Sequence, residues 1–231
     1  MPAELGRRLL AELVGTAALV TVVVGSGIAA QRLSPQDVGL QLLENSLATA
    51  LGLGVLVLVL GPVSGAHLNP VVSAADAVLG RRGRTGLRAR DVVSYTGAQV
   101  VGAVLGAAVA NVMFDLDAVQ VSTTDRTTRG HLIGEAVATA GLVLVVFALA
   151  RTGRGAWSAS AVGAYIGAAY WFTSSTSFAN PAVTVGRTFT DTFAGIAPAS
   201  VPGFVLAQVV GGVLGLALVL VLYPFESARS A

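Results

Sequence analysis

Two Asn-Pro pairs carry the chemistry this chain offers. One lies in His67-Leu68-Asn69-Pro70-Val71-Val72 and the other in Phe178-Ala179-Asn180-Pro181-Ala182-Val183. They stand 111 residues apart (69 to 180), close to half of the 231 residues. Asparagine is a strong N-cap, and proline is tolerated at the first helical position, where its missing N–H would be unpaired anyway. Each pair therefore predicts the start of a short helix of about three turns, enough for roughly half a bilayer. A helix N-terminus presents unpaired N–H donors and partial positive charge. The asparagines add amide donors, and the irregular backbone before them adds carbonyl acceptors. Two such ends facing each other suit a neutral polar solute and repel a cation.

Glu12 and Glu135 are the acids deep within apolar segments, and an intramembrane acid is a functional candidate. Two roles are open: a proton-coupling carboxylate, or an acceptor that ties down N–H groups of the Asn-Pro loops. Recurrence favours the second, because both half-sites need the same bracing. His67, two residues before Asn69, either faces a pore or is a satisfied structural histidine. His131 reads as interfacial, and Trp157 and Trp171 as interfacial anchors or packing. With no cysteine, no metal-ligand cluster and no nucleophile beside either histidine, no catalytic residue, metal site or cofactor is expected.

The elements that position these residues are apolar helices. The chain is 54% hydrophobic and only 11% charged, with mean hydropathy +0.77, against roughly 25% charged residues in soluble domains. It reads as a single integral membrane domain, residues 1–231. Its 28 glycines fit helices packed closely in lipid. Six segments can span a bilayer as helices, which takes about 20 residues each: 9–30, 43–63, 92–114, 132–150, 157–175 and 201–223. The first resembles a signal peptide in following Arg7 and Arg8, but its apolar run is too long, it carries Glu12, and it has a later counterpart. All fourteen basic residues are arginines. Ten fall on one side (Arg7, Arg8, Arg81, Arg82, Arg84, Arg88, Arg90, Arg151, Arg154, Arg229) and four on the other (Arg32, Arg126, Arg129, Arg187). The positive-inside rule makes both termini cytoplasmic. The net charge of +2 gives no reason to expect a nucleic-acid partner. The Arg-only, Ala/Val/Gly-rich usage points to a bacterial source.

The two halves repeat. Ala98-Gln99-Val100-Val101-Gly102-Ala103-Val104-Leu105-Gly106 matches Ala207-Gln208-Val209-Val210-Gly211-Gly212-Val213-Leu214-Gly215 at eight of nine positions. Glu12-Leu-Val-Gly-Thr16 is echoed by Glu135-Ala-Val-Ala-Thr139. Acid, Asn-Pro and Ala-Gln-Val-Val-Gly recur in that order, giving repeats over about 1–115 and 130–225. Three spans per repeat is an odd number, so the second repeat inserts upside down. Inverted repeats place a permeation or binding site near the midplane, where Asn69 and Asn180 meet. The fold class is all-α: six transmembrane helices plus two re-entrant half-helices.

These features resemble the aquaporin (major intrinsic protein) family. The resemblance rests on Glu-x-x-Gly-Thr, Ser-Gly-Ala-His-Leu-Asn-Pro, Phe-Ala-Asn-Pro-Ala and six spans in order, covering nearly the whole chain. It implies a passive channel, a right-handed bundle and a homotetramer with one pore per subunit, in the cell inner membrane. It also implies a central constriction at Asn69, Pro70, Val71, Asn180, Pro181 and Ala182. Val71 stands where the family has Ala, which adds bulk near the midplane. Val183 stands where the family's selectivity filter has Arg. Ungapped spacing carries the other filter positions to Thr49, Ala168 and Ser177, giving a wide, uncharged filter without a bulky aromatic. Such a filter is expected to pass glycerol- or urea-sized solutes as well as water. The stretch from Thr173 to Ile196 also resembles an aquaglyceroporin branch associated with arsenic resistance, which implies neutral arsenous acid and methylated arsenicals. Arg187, four residues past Val183, is expected one turn outward, lining the pore or its external vestibule, unless it is held by Asp191. The competing readings are a water-selective pore, an ion- or proton-coupled transporter using Glu12 or Glu135, and, weakest, a membrane enzyme.

Overall fold

The computed structural model describes residues 4–81 and 85–224; Arg82, Arg84 and Arg229 lie outside the described residues. Eight α-helices follow in order: α1 Leu5–Leu33, α2 Val38–Ser64, α3 Pro70–Leu79, α4 Ala89–Met113, α5 Arg129–Arg151, α6 Ser158–Phe172, α7 Pro181–Gly186 and α8 Val201–Leu222. Single 3₁₀ turns occupy Gly155–Trp157, Arg187–Phe189 and Pro198–Ser200, and no strand occurs among the described residues.

Five of these helices are long and apolar enough to cross a membrane. The fifth expected span, 157–175, gives a helix shorter than its apolar run. α6 has 15 residues and stops at Phe172. The hydroxyl of Thr173 donates back to the Ala169 carbonyl at 2.7 Å, and a Thr-Ser-Ser-Thr-Ser run follows. Such side chains compete with the backbone for hydrogen bonds and favour irregular chain. The half-helices also differ from each other. α3 has the expected ten residues. α7 has six, continued by one 3₁₀ turn from Arg187.

The repeated glycines explain the helix pairing. α1 packs on α4, and α5 on α8. A Cβ at Gly102 or Gly106 would collide with the carbonyl oxygens of Leu13 or Ala17 in α1. One at Gly211 or Gly215 would collide with those of Ala136 or Ala140 in α5. Each Ala-Gln-Val-Val-Gly segment is thus the close-approach face of its repeat, where small residues let backbones touch without a hydrophobic driving force. The half-helices then cross between repeats: α3 packs on α4 and α8, and α7 also packs on α4 and α8.

Gly106→Ala is expected to destabilise the fold by about 1–3 kcal/mol through overpacking against backbone that cannot move aside. Gly97→Ala, in the same helix with nothing within 4 Å, is the control. Thermal unfolding in detergent should separate the two; equal melting temperatures would refute the close-contact account.

Candidate functional site

The two loops before the Asn-Pro pairs are held in the same way. The backbone is left-handed at Ala66 (φ 46°) and Leu68 (φ 50°), and again at Ser177 (φ 51°) and Ala179 (φ 48°). These are the third and first residues before each asparagine. Non-glycine residues pay of order 1–3 kcal/mol each for that conformation, so something must hold it. Glu12 is the clamp in the first repeat. It accepts from His67 N (3.0 Å), Leu68 N (2.7 Å), Ser64 Oγ (2.7 Å) and Gln99 Nε2 (2.7 Å). Glu135 is its counterpart, accepting from Phe178 N (2.8 Å), Ala179 N (2.8 Å) and Gln208 Nε2 (2.6 Å). Both carboxylates are fully buried. Every oxygen is engaged by loop or glutamine donors, the geometry that the bracing role requires.

Sequence reasoning missed the partners. Gln99 also donates to Ser73 Oγ (3.0 Å), and Gln208 to Thr184 Oγ1 (2.8 Å). Ser73 and Thr184 in turn bond the carbonyls of Asn69 (3.1 Å) and Asn180 (2.8 Å). The signal was present: both hydroxyl residues lie four positions past their asparagine, and both glutamines sit in the repeated segment.

The asparagines meet across the repeat interface. Asn69 Oδ1 caps α3 through Val71 N (2.9 Å), while its Nδ2 donates to the Ala179 carbonyl (2.8 Å). Asn180 Oδ1 caps α7 through Ala182 N (3.0 Å), while its Nδ2 donates to the Leu68 carbonyl (2.7 Å). Each loop is therefore tied to the other's asparagine. An amide NH₂ carries two donors, so one N–H on each asparagine remains for a solute.

One cavity of about 250 Å³ passes both asparagines. Asp76 and Ser158 line one end, and Val183 and Arg187 the other. Gly65, Ala66, His67 and Leu68 line it on one side, and Ser177 and Phe178 on the other. The carbonyls of Ala66, His67, Ser177 and Phe178 accept from no protein donor among the described residues, which leaves a ladder of acceptors beside the two amides. His67 lines this path while its Nδ1 contacts Ser73 Oγ at 3.2 Å.

Several expected pore residues lie elsewhere. Pro70, Val71, Pro181 and Ala182 do not line the cavity; they start the half-helices. Val71 does not narrow the midplane, because its Cγ1 fills the space above Gly212, the single mismatch in the nine-residue repeat. Ala168 is exposed on the outer face of α6. The cavity face of that helix is Ser158, Val162, Ile166 and Tyr170, spaced by four. Tyr170 Oη sits 3.1 Å from Thr49 Oγ1. An aromatic therefore does border the path beside Thr49, Ser177 and Val183.

Arg187 is not in an open vestibule. It is 2% exposed and lines the cavity. Its Nε donates to the Ala194 carbonyl, and its guanidinium lies 3.4 Å from the Phe178 ring centre. Asp191 does not hold it; that carboxylate accepts from Thr123 N at 2.9 Å. Arg187 stands at the first position of the 3₁₀ turn that continues α7. The filter expected to be uncharged thus has a guanidinium one turn beyond Val183. The connection after α4 secures this turn, since Ser122 N donates to the Thr188 carbonyl (2.9 Å) and Gln120 N to that of Phe189 (3.2 Å). Nearby, hydrogen bonds from Thr127 and Ser200 hold the Asp125 carboxyl below its ordinary range.

Residues 2–179 match the family model for the major intrinsic protein. The chain belongs to the major intrinsic protein family. Members are membrane channels, not enzymes. The match stops one residue before Asn180, but similarity continues beyond it. The aquaglyceroporin AqpS of Rhizobium meliloti is 50% identical over 217 residues, covering 93% of this chain and 89% of that protein. Aquaporin-2 of Rattus norvegicus is 36% identical over 154 residues, covering 64% of this chain and 53% of the relative. The X-ray structure of the aquaglyceroporin from Plasmodium falciparum superposes with a TM-score of 0.71, covering 94% of this chain and 96% of its own. At 21% identity, that likeness establishes the shared aquaporin fold.

Glu135→Gln should destabilise the protein by about 1–3 kcal/mol, because an amide nitrogen would face loop donors that need an acceptor. Retained thermal stability with an altered proton dependence of flux would instead restore the coupling role. Gly212→Ala should also destabilise, because the β-branched Val71 cannot rotate away freely. Adding Val71→Ala should restore the melting temperature; failure of that rescue would disprove the pairing.

Proposed function

We propose that the chain is a passive channel of the aquaglyceroporin type, conducting glycerol-sized neutral solutes and water across a bacterial inner membrane. The observation that carries this reading is the single cavity past both asparagines, lined by apolar side chains such as Leu19, Val23, Leu142 and Ile166 and by unpaired backbone acceptors. A polyol can lay its carbons against the apolar wall and exchange its hydroxyl partners along the ladder, so desolvation is compensated. Asn69 and Asn180 form the central constriction. Thr49, Tyr170, Ser177 and Val183 form the outer one, where three short side chains leave the space that Tyr170 does not take.

Urea, arsenous acid and methylated arsenicals belong to the same size and polarity class and are included as proposed permeants. The arginine asymmetry supports cytoplasmic termini, and the lipid-exposed apolar faces are compatible with a homotetramer with one pore per subunit.

Proteoliposome shrinkage under a glycerol gradient tests the proposal. Rapid solute equilibration without any ion gradient is expected; a requirement for such a gradient would favour a coupled transporter. Fast water flow with no glycerol flux would favour a water-selective pore. Val183→Arg should cut glycerol flux more than water flux, and Tyr170→Ala should raise the flux of larger polyols relative to glycerol. Unchanged ratios in both variants would remove these residues from the filter.

A further inference from the structure

Arg187 is a buried cation with no direct ion pair; the buried carboxylate of its own repeat, Glu135, has both oxygens taken by Phe178 N, Ala179 N and Gln208 Nε2. The one ion pair among the described residues joins Arg90 to Asp91, and Asp191 is engaged with Thr123. The Ala194 carbonyl takes Nε and the Phe178 ring covers one face of the guanidinium. The two terminal nitrogens, donors only, have no hydrogen-bond partner among the described residues. Arg187 lines the cavity, so this fork is open there to the acceptor oxygens of water or of a solute. A second observation lies beside it in the lining. Ser177 is 3% exposed, and its hydroxyl has no hydrogen-bond partner. A second guanidinium, Arg126, lies 5.4 Å from the same Phe178 ring, its nitrogens bonded to the carbonyls of Gly195 and Phe193, while the opposing charge of Glu135 sits behind the Phe178 backbone. At the opposite end of the cavity the lining charge is Asp76.

We infer that Arg187 and Ser177 form a binding site for the planar carboxylate of a small monoanionic oxyacid, entered from the α7 end. A guanidinium fork matches the two oxygens of a carboxylate better than it matches a single hydroxyl. The anion is held there rather than conducted, because Asp76 repels it at the other end. Neutral solutes pass the same fork by accepting from it briefly, while inorganic cations are turned back. Small carboxylates therefore act as one-sided competitors of the neutral permeant. The inference rests on the cavity being the solute path.

The test uses acetate and the full chain. Glycerol flux into proteoliposomes is measured with acetate on one side at a time, at constant ionic strength and neutral pH. Saturation transfer from the detergent-solubilised protein to the acetate methyl signal is recorded in parallel. Acetate on the α7 side should slow glycerol several-fold in the unaltered protein, and the saturation transfer should be clear. Arg187→Gln should abolish both, Arg187→Lys should weaken both because it keeps charge without the fork, and Ser177→Ala should weaken both less. Size-exclusion profiles establish that each variant is folded, and Ser177→Ala serves if Arg187→Gln is not. Glycerol flux untouched by acetate, with no saturation transfer, overturns the site. Absence of glycerol flux in the unaltered protein defeats the channel reading, while Arg187-dependent saturation transfer judges the site separately.

Discussion

Everything in this structure depends on two buried carboxylates accepting hydrogen bonds from backbone that is not helical. Irregular chain at membrane depth has N–H groups that lipid cannot satisfy, and each one left open costs several kcal/mol. Glu12 and Glu135 supply acceptors for consecutive N–H groups of the two loops, and Gln99 and Gln208 fix the carboxylates in turn. With the donors so held, the carbonyls of Ala66, His67, Ser177 and Phe178 are left unpaired, while those of Leu68 and Ala179 go to the asparagine amides. The strained left-handed residues and the solute path are two consequences of one clamp, made twice.

The clamp also explains why the repeat is recognisable. The glutamine that orients each carboxylate lies on the same helix, three and seven residues before the glycines that let that helix approach its neighbour. Packing and polar bracing thus share one segment. A change in one would displace the other, since the loop, the half-helix and the crossing helix meet within a few residues. Where the halves differ, the difference is local and paired, as with Val71 and Gly212.

The two opposed half-helices are unequal in the end charge they can supply. α3 is long enough for a substantial end charge, but α7 has only six residues, and the macrodipole argument weakens with so few aligned peptides. A full positive charge compensates one turn away, at Arg187. The asparagine amides then serve mainly to tie the loops together and to offer one donor each.

The sequence by itself determined the membrane class, the inverted repeat, the starts of both half-helices and the residues that clamp them. Each follows from a local or periodic rule: apolar length, N-cap chemistry, an acid with no other reason to be in lipid. The six spans agree to within about five residues, and the fifth gives the shortest of the six helices, closing at Phe172 where hydroxyl side chains compete for the backbone. Only the tertiary structure decided which face of each helix lines the path. In α6 the lipid face and the lumen face are both apolar or small, so no amphipathic pattern separates Ala168 from Tyr170. Counting residues back from Asn180 carries a distance along the chain but not a rotation about a helix. For Arg187 the sequence left pore lining and vestibule both open, and the structure places it in the cavity lining, at the start of a 3₁₀ turn.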